Sequence, residues 1–77
     1  MRHFLITFDR KSGTILNSVS FREAERKLAF TARFKAEREF RDSEHVEVVL
    51  LHAKSMDALK KTHSRFFRDE LRRKVGA

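Results

Sequence analysis

Proline is absent from this chain, and its only glycines are Gly13 and Gly76. Glycine is the residue that freely takes positive φ, and proline is the one that halts a helix by lacking an N–H. A chain with so few breakers must be built from long, uninterrupted elements, with its one tight reversal near Gly13. The flanking residues agree. Phe4, Ile6 and Phe8 alternate with His3, Leu5, Thr7 and Asp9, the period of a half-buried strand. Arg10-Lys11-Ser12-Gly13 reads as a hairpin turn, and Thr14 to about Val19 as a second strand antiparallel to the first.

Ser20-Phe21-Arg22-Glu23 has the spacing of a capping box, in which the Ser oxygen and the Glu carboxylate satisfy free backbone N–H groups. It predicts a long helix from about Phe21 to Phe40 or Arg41, braced by the Glu23/Lys27, Lys35/Glu39 and Glu37/Arg41 pairs at i,i+4 spacing. Arg41 to Glu44 is a loop. Val46 to Leu51 is apolar on both faces, which predicts the most buried strand of the sheet. Ser55 as N-cap and Asp57 in the first turn open a second helix, expected to run to about Lys74. A right-handed crossover makes the third strand parallel to the second. The expected fold is α+β: a two-layer ββαβα domain over residues 1–77, with a three-stranded sheet of order 2-1-3 and both helices on one face.

A chain of 77 residues buries little more than half of its unfolded surface, so it gains from a staple or a partner. With no cysteine, disulfides and thiolate metal sites are excluded together. His3, His45, His52 and His63 form no close ligand pair, so neither a metal nor a cofactor is expected. Self-association, as a homodimer, is the remaining helper. The longest apolar block is Val48 to Leu51, far short of a membrane span, and no signal-peptide pattern opens the chain. A cytoplasmic protein without a membrane partner is expected.

Charge is uneven along the chain. Residues 54–77 carry Lys54, Lys60, Lys61, Arg65, Arg68, Arg72, Arg73 and Lys74 against Asp57, Asp69 and Glu70. That is +5 of a total of +7. On the second helix, Met56, Leu59, His63, Phe66, Phe67 and Leu71 form one apolar face. Lys61, Arg65, Arg68 and Arg72 fall on the opposite line. Four cations on one rigid rod fit a row of phosphates, although such a stripe is also an ordinary solvated face. It holds no Asn, Gln or Ser to read base edges, so contact with the nucleic-acid backbone is expected, with little sequence preference. The alternative of an interfacial helix on a membrane conflicts with the core's need for the apolar face.

The first helix has two apolar regions. Leu28, Ala29, Ala32, Ala36 and Phe40 share a flank, whereas Phe30 and Phe34 point away from it. One region can pack on the sheet. The other must be covered by the second helix, or else serve as a protein-interaction surface for a second copy or a foreign partner.

No catalytic arrangement can be assembled. His63, on an apolar helix face, reads as a core or interface residue, and the Glu37/Glu39 and Asp69/Glu70 carboxylates as surface ion-pair partners. Phe4 to Asp9 resembles the first strand of small VapD-type ribonucleases, in which an acidic residue ends that strand. In those proteins a helix follows at once, whereas here a hairpin follows, and an Asp at a strand end serves as a turn residue. Val46 to Leu51, followed by Ser55 to Phe67 with its Thr62-His63-Ser64-Arg65-Phe66-Phe67 run, resembles short uncharacterised proteins of actinobacteria and their phages. That resemblance implies a setting but no activity. The expected function is a small non-enzymatic binding module that docks nucleic acid through a basic helix. The alternative is a small protein-interaction or regulatory factor, phage-encoded in the setting that the resemblance implies, acting as a dimer or on a host protein.

Overall fold

The computed structural model describes residues 1–67. Strands β1 (Arg2–Asp9), β2 (Thr14–Phe21) and β3 (Val46–Ala53) form one sheet of order β2-β1-β3. β1 is antiparallel to both neighbours, so β2 and β3 run parallel, as expected for the crossover between them. That crossover is a 3₁₀ turn, Glu23–Glu25, followed by helix α1, Arg26–Glu39. Helix α2, Met56–Thr62, and a second 3₁₀ turn, Ser64–Phe67, follow β3. The α+β class and the strand order are those read from the sequence.

Gly13 turns the hairpin at φ 72°, and its N–H donates to the Asp9 carbonyl at 2.8 Å. The register slips between Thr7 and Phe8, which face Asn17 and Ile15. Leu16 is the extra residue of this bulge. The slip sets Ile15 opposite Phe8 and leaves Leu16 half exposed.

The faces of the sheet follow from the pairing, because directly opposed residues of antiparallel strands share a face. On one side lie Phe4, Ile6 and Phe8, facing Leu51, Val49 and Glu47 of β3. Leu59, Phe66 and Phe67 close this side and form the main core with Phe4, Ile6, Phe8 and Ala53. Phe66 meets Phe8 edge-on at 5.0 Å between centroids. On the other side His3, Leu5 and Thr7 are also buried and face His52, Leu50 and Val48. They lie outside that core cluster, as does the fully buried Ala29 of α1. α1 covers this second face with its small residues, Ala29, Ala32 and Ala36, and with Phe40.

The helices are therefore divided between the two faces rather than sharing one. Leu5, Leu50 and Val48 explain the division, since a single helical layer would leave their side of the sheet in water. The same geometry revises the burial order. β1, paired on both edges and covered on both faces, is buried from His3 to Phe8, whereas β3 is an edge strand and mostly half-buried.

Two helix boundaries also move. Phe21 stays in β2, opposite His3, so α1 starts later than the Ser20 signal implied. Half of the capping role passes to Glu25, whose carboxylate accepts from the Arg22 backbone N–H at 2.8 Å; the Arg22 side chain, having no acceptor, cannot supply the other half. Of the i,i+4 interactions on α1, the ion pair that forms is Arg33–Glu37 at 2.7 Å. α2 is capped as expected, with the Ser55 hydroxyl accepting from Ala58 N–H at 3.2 Å. It ends at Thr62, with His63 at φ −123°, ψ 47° as its C-cap.

Candidate nucleic-acid interface

The break at His63 decides how the basic residues of the C-terminal third are displayed. A line through Lys61 and Arg65 requires a continuous α-helix, but the chain tightens into a 3₁₀ turn between them. Lys61 is exposed on the last turn of α2. Arg65 turns toward the sheet, pairs with Glu47 at 2.9 Å and stacks over the Phe66 ring at 4.3 Å. Its side chain still keeps more than half of its surface in water. Arg68 and Arg72 lie outside the described residues. The apolar face of α2 is as expected: Leu59, Phe66 and Phe67 are buried, and Met56 and His63 half-buried.

α1 presents the second candidate. At about 100° per residue, Ala29, Ala32, Ala36 and Phe40 face the sheet, and Phe34 lies on the opposite line. It is 63% exposed. Phe30 is half-buried beneath the Arg26 guanidinium, 5.4 Å from the ring centroid. Leu28, grouped by sequence with the sheet-facing alanines, is instead 58% exposed, because a bulky residue at the rim of a closely packed alanine surface is held outside it. α2 does not cover Phe34, because it packs on the other face of the sheet.

Lys27 and Arg38 project on the same side of α1 as Phe34, seven residues before it and four after. Both are exposed, and no carboxylate pairs with either side chain among the described residues. The nearest acid on that side, Glu37, is taken by Arg33. Sequence reading found the two phenylalanines but missed the cations around them. The 7-and-4 spacing about Phe34 is the signal that would have found them.

Other polar groups are committed to structure. The Asp9 carboxylate accepts from the backbone N–H groups of Lys11, at 2.9 Å, and Ser12, at 3.4 Å. Partial burial pushes its carboxyl up, but hydrogen bonds from the Ser12 side chain and from both N–H groups, with His45 nearby, hold it below the ordinary value. His3 and His52, directly opposed across β1 and β3, meet edge-on at 4.4 Å. The His3 Nε2 lies 3.3 Å from the Glu23 carbonyl, which can only accept, so Nε2 carries the proton in that bond. Its Nδ1 is buried without a hydrogen-bond partner. Among the described residues no three His, Asp or Glu side chains gather as a metal site would need, and no helix is long and apolar enough to cross a membrane.

No protein-family model, curated protein or solved structure matches the chain.

Proposed function

We propose that the protein is a small, non-enzymatic binding module that docks the nucleic-acid backbone. The observation that carries this reading is the net charge of +7, of which residues 54–77 supply +5. Cations so concentrated, on a domain this small, release counterions from a polyanion when they replace them. The residues assigned to the contact are Lys61, Arg65, Arg68 and Arg72. Arg65 contributes less than its neighbours, because its charge is shared with Glu47.

Fluorescence anisotropy with labelled duplex DNA, single-stranded DNA and RNA, at low and physiological salt, tests the reading. Binding should persist at physiological salt. Replacing the four cations with Ala should weaken it and lower the log–log salt slope by roughly 3, at about 0.7–0.9 per lost phosphate contact. Affinity and slope unchanged in the quadruple variant would remove these residues from the contact.

A second reading rests on the exposure of Phe34. In it the protein is an interaction or regulatory factor, in the phage or actinobacterial setting that its resemblance implies, and docks a second copy or a host protein through Phe30 and Phe34. Sedimentation of the wild type and of a Phe30/Phe34 polar double variant separates self-association from the other cases.

A further inference from the structure

We infer that the outer face of α1 is a docking surface for single-stranded nucleic acid, on which Phe34 stacks against a base while Lys27 and Arg38 hold the flanking phosphates. The inference rests on the nucleic-acid reading above and adds to it a second contact surface and a strand preference.

The first support is the position of Phe34. An aromatic ring on the line of a helix opposite its buried side, 63% exposed, contributes little to the fold. Most of its surface is open to a planar ligand. The second is the charge around it. Lys27 and Arg38 lie on either side of the ring along the helix, about 16 Å apart at 1.5 Å per residue, and neither is paired with a carboxylate among the described residues. Arg26 adds a third cation above the neighbouring Phe30 ring. Cations bracketing an exposed aromatic are the ingredients of single-strand binding: the backbone is held electrostatically and an unstacked base lies on the ring. A duplex offers phosphates to the same cations, but its bases are already stacked on one another and unavailable to Phe34.

The charge pattern also weighs against a second copy packed in parallel as the occupant. A two-fold contact between antiparallel α1 helices centred on Phe34 carries Lys27 past the end of the other helix at Glu39 and sets Arg38 against the other copy's Phe30. A parallel contact sets Lys27 against Lys27 and Arg38 against Arg38. The parallel contact brings like charges together around the apolar centre. An anionic, base-bearing strand removes the conflict.

The test compares the wild type with Phe34→Ala, Phe34→Leu and Phe34→Trp, using labelled oligothymidylate and a mixed-sequence duplex at physiological salt. Thermal melts accompany the titrations, and because the ring points into solvent all four proteins should melt alike. Phe34→Ala and Phe34→Leu should bind oligothymidylate about five- to a hundredfold more weakly, Phe34→Trp should bind as well or better, and duplex affinity should change little. Equal binding by all four, with affinity lost in the Lys61/Arg65/Arg68/Arg72 variant, would overturn the α1 surface and leave the general reading standing. No binding by the wild type to any nucleic acid would overturn both. A wild-type dimer that Phe34→Ala converts to a monomer, with nucleic-acid affinity unchanged, would identify the patch as a contact between copies and overturn the inference.

Discussion

Asp9 and Gly13 act on the same four-residue turn from opposite ends. The carboxylate gathers the turn's N–H groups, while the glycine takes the positive φ. A Cβ at Gly13 would meet open space, so the cost of Gly13→Ala is conformational alone, about 1 kcal/mol. A denaturant titration should show it as a lower midpoint at unchanged slope. The carboxyl of Asp9 is held below its ordinary value in the folded protein. Its contribution is therefore present above the unfolded carboxyl's pKa and lost as pH falls through the lower, folded one. Asp9→Asn keeps an acceptor for the turn but removes the titration, so its stability should vary less with pH in the acid range than that of the wild type. An identical acid profile for the two proteins would show that the carboxylate adds nothing beyond its acceptor oxygen. The unpartnered Nδ1 of His3 is a different kind of residue-scale feature. It was invisible in the alternation of β1, which shows that His3 and Leu5 share a side but not that both are sealed beneath α1.

At the scale of elements, the division of the two helices between the faces makes a prediction that a single-sided arrangement would not. Ala29 is fully buried against the Leu5 side of the sheet, where small side chains let the helix approach closely. Ala29→Leu should cost about 1–3 kcal/mol by overpacking, whereas Phe34→Leu, opposite it on the same helix, should be close to neutral in stability. Phe66→Ala should cost about 3–5 kcal/mol, since its ring is buried against Phe8. For a domain of this size that approaches the whole stability. Guanidinium unfolding of the three variants would rank them. The hairpin, the strand order and the apolar face of α2 were legible because each is written in local periodicity and one glycine. The helix boundaries were less so. Ser20 looks like a cap, but pairing with β1 holds Phe21 in the sheet, and a long-range ladder overrides a local signal. The stop at Thr62 has no glycine or proline to announce it. The chain tightens there, and Phe66 and Phe67 are both buried against the sheet.

Across the whole molecule, charge and surface are displayed by the fold rather than by composition. A net charge of +7 predicts attraction to polyanions wherever the cations lie, and binding should weaken steeply as salt rises. Which cations share a surface depends on packing. Lys61 and Arg65 are separated by a change of helix type, Arg65 is drawn to Glu47 of the edge strand, and Lys27 and Arg38 remain in water around Phe34. The amino-acid sequence by itself determined the α+β class, the turn at Gly13, the strand order and the excess of positive charge. These depend on interactions between near neighbours in the chain, on simple connection rules and on composition. Only the tertiary structure decided which face each helix covers, which strand is most deeply buried and which aromatic remains exposed. Those outcomes depend on competition between residues distant in sequence for the same two sides of one sheet.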